Sequence, residues 1–329
     1  MTELNRRQLL ARTLGATLLA AGNGRAALAQ PRFPIRPIKW IVPYLAATSP
    51  DTSARILAEA VGPILGQPIV IDNRGGAAGN IGTRIAAKAP ADGYTLLYSA
   101  TPLASNMLIY KQPGYDALKD FRHVMRISSG DVALVVNAQS DIRTLDDLLA
   151  RLRARPGQVD YASGGVGTPS HLGMELFLSA THTQAMHVPY KGASDLVTAV
   201  LSNQVVFGMP IFAAAHPMVA AGKLRLLAIA SRKRNPIEQQ VPTLAELGVA
   251  GVELPSWGGL SVPAGTSDAV VQTLFDAFSQ ALGQPAVVDA LMKNGGQVDI
   301  GDAAAFEQTI RREMQLTAAM MQRVQLEPI

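Results

Sequence analysis

The stretch Tyr161-Ala162-Ser163-Gly164-Gly165-Val166-Gly167-Thr168-Pro169-Ser170-His171 decides the fold, because it joins a strand to a helix through glycine. The strand-like segment Gln158 to Tyr161 leads in, and Leu172, Met174, Leu176 and Phe177 follow with the spacing of a buried helix face. Thr168 is a favourable N-cap, and Pro169 suits the first helical position because it has no N–H to leave unpaired. The helix is therefore predicted to begin at Thr168. Its first turn would offer N–H groups and the positive end of the helix dipole to a carboxylate or phosphate, with no cationic side chain required.

Two more junctions have the same construction: Ser49-Pro50 after the strand-like Ile38 to Tyr44, and Thr101-Pro102 after Tyr94 to Ala100. A hydroxyl residue before proline is a common helix start, so one alone implies only structure. Three in one chain point to helix N-termini facing one anion at the carboxyl ends of the strands of an open α/β sheet.

Outward from these junctions the chain opens βαβαβ, with strands at Ile38 to Tyr44, Gln67 to Asn73 and after Asp92-Gly93, the signature of a parallel half-domain. The Gly75 to Gly82 loop does not read GxGxxG and follows the second strand, which excludes a nicotinamide site. Further strands are predicted at Asp131 to Ala138, Met186 to Tyr190, Gln204 to Met209 and Leu224 to Ser231, interleaved with helices. Residues 136–231 then form a second lobe inserted into a first lobe made of residues 30–135 and 232–329. The C-terminal helices Asp268 to Leu282, Pro285 to Lys293 and Ala303 to Arg323 are expected to pack on the first lobe. Two α/β lobes joined by two crossovers enclose a cleft that can close on a ligand. No internal sequence repeat is apparent.

The formal charge of +4 resides mostly in residues 1–29, where Arg6, Arg7, Arg12 and Arg25 stand against Glu3, leaving +1 for the rest. A nearly neutral body gives no footprint for nucleic acid. The basic start, the apolar stretch Leu14 to Ala21 and the small residues Ala27-Leu28-Ala29 read as an export signal, twin-arginine-like at Asn5-Arg6-Arg7-Gln8-Leu9-Leu10, although the Sec route stays open. The apolar stretch is too short to span a bilayer. The chain has no cysteine, hence no disulfide and no thiolate metal site. A periplasmic protein fits these features.

Short motifs spread over nearly the whole chain carry a resemblance. Pro37-Ile38-Lys39-Trp40-Ile41-Val42-Pro43, Asp72-Asn73-Arg74, Asp92-Gly93-Tyr94-Thr95-Leu96-Leu97, Tyr161-Ala162-Ser163, Val188-Pro189-Tyr190-Lys191-Gly192 and Pro263-Ala264-Gly265-Thr266, in that order, resemble the substrate-binding proteins of tripartite tricarboxylate transporters, the Bug type. The resemblance implies a two-lobed type II periplasmic-binding-protein fold that captures a small organic carboxylate and delivers it to transmembrane transporter subunits. It also implies that backbone N–H groups, hydroxyls and water in the strand-to-helix loops hold the ligand, and that no cofactor takes part. A monomer is expected. Where the family usually reads Pro-Gly-Gly-Gly, this chain reads Ala46-Ala47-Thr48-Ser49, and Pro210 stands where many relatives carry an acid, which speaks against an amino-acid ligand.

The expected contacts are Ala46, Ala47 and Thr48; Ser99, Ala100 and Thr101; Ser163, Gly164, Gly167 and Thr168; His171; Pro189, Tyr190 and Lys191; and Pro210. Each has a plainer role available: Thr168 as an N-cap, His171 tied to the loop backbone, Lys191 in a solvated turn, Tyr190 packed beneath it. A secreted hydrolase is the alternative, but Ser163 lies outside a Gly-x-Ser-x-Gly elbow and no sequence feature nominates His171 or His187 as its base. A further alternative keeps the binding fold and reports to a membrane sensor. His182 and His187 have no zinc-site spacing, so no metal is expected.

Overall fold

Two sheets that share one strand order over five strands carry the chain, the first adding a sixth at its edge. The first contains β1 (Ile38–Val42), β2 (Ile69–Asn73), β3 (Thr95–Ala100), β4 (Phe121–Gly130), β10 (Ser256–Pro263) and β11 (Gln297–Gly301), in the order β2-β1-β3-β10-β4-β11. The second contains β5 (Ala133–Asn137), β6 (Asp160–Ser163), β7 (Met186–Pro189), β8 (Phe207–Gly208) and β9 (Leu224–Ile229), in the order β7-β6-β8-β5-β9. In each, three parallel strands are followed by one antiparallel strand, β10 or β5, wedged before the next. The repeat is one of topology, invisible as sequence similarity. The computed structural model describes residues 33–293 and 296–329, and the predicted export segment lies outside them. Arg36–Ile329 form one compact unit.

Ten helices complete the described residues: α1 (Ser49–Leu65), α2 (Asn80–Ala87), α3 (Pro102–Ile109), α4 (Leu145–Ala154), α5 (Pro169–Thr181), α6 (Ala193–Leu201), α7 (Phe212–Ala220), α8 (Asp268–Leu282), α9 (Pro285–Lys293) and α10 (Ala303–Val324). None is long and apolar enough to cross a membrane. In the first lobe Trp40 of β1 meets Phe278 of α8 edge to face, with ring centroids 5.2 Å apart. In the second, Leu145, Leu148, Leu149 and Leu152 put one face of α4 into a core shared with Tyr161, Phe177 and Phe207. Spacing of three and four along α4 produces that stripe.

The lobe boundaries differ from those expected. β5 pairs with β8 and β9, so the second lobe begins before Ala133 rather than at residue 136. Its return is also later than residue 231: Ile229 and Leu244 bond backbone to Pro242 and Ile229, and Leu244, Val249 and Leu254 are buried in the second lobe's core. Apolar side chains without a strong period held that segment to the second lobe. α10 serves both lobes, with Phe306 and Ile310 in the first core and Met320 and Met321 in the second. β4 and β11 were not anticipated. Arg126, His123 and Arg122 break the apolar alternation of β4, and Arg126 pairs with Asp299 of the edge strand β11 at 2.7 Å.

Candidate functional site

Six helices start on one cavity of about 100 Å³. Its wall includes Thr48 and Ser49 at α1, Gly79 at α2, Thr101 and Pro102 at α3, Thr168 to Ser170 at α5, Gly192 and Ala193 at α6, and Ile211 and Ala213 at α7. Both lobes contribute. At none of these six starts does an N-cap side chain accept a helix N–H. The N–H groups of Ser49, Leu103 and Ser170 find no acceptor among the described residues. Open N–H groups and six positive dipole ends make this a place for negative charge.

The side chains agree. Lys191, exposed at the rim, is the one charged side chain in the cavity wall among the described residues, and hydroxyls supply most of its other polar side chains, Tyr44, Thr48, Ser53, Tyr98, Thr101, Ser128 and Ser129 among them. Burial pushes the Tyr44 phenol well above its ordinary range. Burial also raises Tyr98, against the opposing hydrogen bonds of Ser128 and Ser53. Both phenols therefore stay protonated and able to donate.

Local chemistry shapes the loops. Ala47 adopts φ 61°, the left-handed region that glycine would favour. Its N–H donates to Asp51 Oδ2 at 2.8 Å, and Thr48 Oγ1 donates to the Leu45 carbonyl at 2.7 Å. Burial works against the Asp51 charge, but hydrogen bonds from Arg55, Asn73 and Ala47 outweigh it and hold the carboxyl below its usual value. Ala47 is thus held in a backbone conformation that glycine would adopt without strain. Ala77 and Ala78, before α2, are also left-handed at φ 47° and 51°. Strain of this kind concentrates at ligand clamps.

A family model described as the Tripartite tricarboxylate transporter family receptor matches residues 53–326. The chain belongs to this receptor family. BugT of Bordetella pertussis is 36% identical over 294 residues, spanning 89% of this chain and 90% of BugT. An R. palustris protein solved with adipate superposes with a TM-score of 0.87 at 30% identity, over 90% of this chain and 100% of that one. MatC from Rhodopseudomonas palustris, solved with bound malate, gives 0.83 at 27% identity over 89% and 100%. The two-lobed α/β fold is thus shared with solute-binding receptors.

Of the contacts expected from sequence, Thr48, Ala100, Thr101, Gly164, Thr168 and Lys191 line the receptor's cavity. The others do not. Ala46 and Ala47 face outward from their loop, and Pro189 is exposed. Tyr190 turns its hydroxyl towards Gln204, at 3.5 Å. Pro210 is buried and its carbonyl accepts the Ala133 N–H, so Ile211 reaches the cavity in its place. Ser99 points to the opposite face of β3, 2.7 Å from Ser261 Oγ. Ser163, Gly167 and His171 bond among themselves and their neighbours beneath the loop. Thr168 lines the wall, but its N–H donates to the Gly165 carbonyl.

Sequence reasoning missed the β2–α2 loop, Gly76 to Gly79, whose glycines match no dinucleotide motif. It also missed Ser128 to Gly130 and Ser256 to Gly258, contributed where β4 and β10 run side by side. The strand-to-helix junction was the available signal for the first; β4 gave none. Trp257 walls the cavity on this side and donates its backbone N–H to Thr101 Oγ1 at 3.2 Å. Behind it a second, open cleft of about 860 Å³ is lined by the buried Glu313. No helix starts on that cleft, and its wall mixes both charge signs, so nothing converges there as on the first cavity.

Proposed function

We propose that the chain is a periplasmic, monomeric receptor that closes its two lobes on a small organic carboxylate and presents it to the membrane subunits of a tripartite tricarboxylate transporter, with no chemical change to the ligand. The observation that carries this is the convergence of six uncapped helix starts on a cavity with hydroxyls and a single rim lysine. A carboxylate accepting several N–H bonds stays ionised, and such charge-assisted bonds are about twice as strong as neutral ones. Adipate and malate, the acids held by the two R. palustris receptors, are the first candidates. The absence of Asp and Glu from the described cavity wall supports a ligand without an ammonium group.

Ser163 does lie 2.6 Å from His187 Nε2, the pairing a hydrolase would need. Its hydroxyl is fully buried, outside the cavity wall, and already accepts the Gly165 N–H at 3.1 Å. That placement favours capture over catalysis.

Thermal unfolding against mono-, di- and tricarboxylates and their amides tests the proposal. An acid at about 100 times its dissociation constant should add roughly 2.7 kcal/mol of stability. Equal stabilisation by the amides, or none by any acid, would overturn it.

A further inference from the structure

Beneath the Ser163 to Thr168 loop stands a column of three rings. Parallel pairing of β6 with β7 sets Tyr161 beside His187, and their rings stack with centroids 4.9 Å apart. His171, from the first turn of α5, stacks with His187 at 4.5 Å. The Tyr161 hydroxyl donates to Glu175 Oε1 at 2.6 Å, and that oxygen lies 3.9 Å from His171 Nε2.

The loop's polar hydrogens decide where the ring protons sit. Gly167 N–H points at His171 Nδ1, 3.4 Å away, so Nδ1 must be an acceptor and the His171 proton sits on Nε2, towards Glu175. Ser163 Oγ accepts from Gly165 N–H, and its own hydrogen has one acceptor among the described residues, His187 Nε2. The His187 proton then belongs on Nδ1. A charged ring at either place would set donor against donor. Burial drives His171 down to about 4; burial followed by the neighbouring His171 does the same to His187, against the pull of Glu175. The groups facing the pair are Tyr161 from β6 and Glu175 from α5, while Arg323 of α10 shares a surface hollow with Glu175.

We propose that His171 and His187 are positioning residues of the ligand loop, held neutral in opposite tautomers, His171 accepting the Gly167 N–H through Nδ1 and His187 accepting the Ser163 hydroxyl through Nε2. The part that concerns the ligand rests on the proposed function; the tautomers do not. Neither histidine lines the cavity.

Asparagine places an amide oxygen near the Nδ1 position of histidine, and glutamine places one near Nε2. The effects should therefore cross. For malate or adipate, His171→Asn and His187→Gln should bind within about threefold of wild type, while His171→Gln and His187→Asn should weaken binding by about tenfold or more, the consequence of a buried donor left unpaired. A purely steric role would instead penalise all four alike, and that outcome would overturn the proposal.

Long-range ¹H–¹⁵N correlation spectra of the full chain, with labelled histidine at neutral pH, read the tautomers without any ligand. The signal lost in His171→Asn should be of the Nε2–H form and that lost in His187→Gln of the Nδ1–H form. The same tautomer at both, or a charged ring at either, would overturn the inference even if a variant fails to fold. Failure of wild type to bind either acid would instead count against the carboxylate reading, with the spectra still deciding the tautomers.

Discussion

α4 and α10 begin in a different way from the helices at the cavity. Thr144 Oγ1 accepts the Asp147 N–H, and the Asp147 carboxylate accepts the Thr144 N–H in return, closing a capping box on α4. Asp302 caps α10 by accepting the Ala305 N–H at 2.8 Å. The six starts at the cavity have no such bond. α8 is also uncapped, but its Ser267 is exposed, where water serves. A helix start that supplies its own acceptor is complete; one that withholds it, at a cavity where six starts meet, is arranged for an acceptor from elsewhere.

Supplying that acceptor covalently should break the difference. Gly192, the N-cap of α6, has φ 169°, extended backbone open to any residue, and a Cβ there would meet nothing closer than 3.8 Å. Gly192→Asp should therefore fold at least as well as wild type. Its charge would repel an incoming carboxylate by about 4 kcal/mol for a 4 Å separation at an effective dielectric of 20. Gly192→Asn has the same size and no charge. Calorimetric titration with the acid that stabilises wild type should show the Asp variant weaker than the Asn variant by about a hundredfold or more. Equal affinities would mean that no anion sits at α6.

The two faces of the Trp257 wall sharpen the contrast through two buried acids. Asp51, at the donor-rich cavity loop, is held below its usual value against burial. Glu313, behind the wall, is pushed up by burial to about 7 from an ordinary 4.5, with Trp257 and Thr317 only partly opposing. The folded state thus keeps a proton that the unfolded chain has released. Stability from this group is full below 4.5 and is lost as pH rises through about 7. Glu313→Gln should match wild type in acid and exceed it by about 3 kcal/mol in alkali, by urea unfolding. A difference independent of pH would contradict the assignment.

The part of this contrast legible in sequence was the part written in local chemistry. Ser49-Pro50, Thr101-Pro102 and Thr168-Pro169 announced three of the six starts because hydroxyl and proline have strong positional preferences. Gly79 and Gly192 announced nothing comparable, since glycine fits many turns. Which way a side chain faces was harder to read. Ser163 and Tyr161 share one face of β6 by the period of two, and only the second lobe's core shows that this face looks away from the cavity. The doubled strand order was illegible because topology repeats there while side chains do not. β4 was hidden because its interrupting arginine finds a partner 173 residues later.

The cavity's dependence on β10 gives a smaller, steric test. A Cβ on Gly258 would stand 2.4 Å from Tyr98 Oη and 2.7 Å from Ser128 Oγ. Gly258→Ala must displace hydroxyls that line the cavity, at a cost of about 2 kcal/mol in stability. Affinity for the acid should fall with it, by about tenfold, as Tyr98 leaves its place. A stability loss with unchanged affinity would remove Tyr98 from the site.

The smallest effect belongs to the capped helices, and there the sign of the comparison reverses. Thr144→Ala removes the acceptor for the Asp147 N–H, and Asp302→Ala that for the Ala305 N–H. Each should cost about 1 kcal/mol of stability. Neither residue lines the cavity, so the dissociation constant should stay within about twofold. Alanine at the uncapped Thr168 should do the opposite: little is lost from the helix, because its side chain bonds to the Gly165 carbonyl and Ser170 rather than to α5's N–H groups, but the ligand wall changes. If Thr144→Ala weakened binding as much as Thr168→Ala, capped and open starts would not differ in function, and the cavity would have to be explained by shape alone.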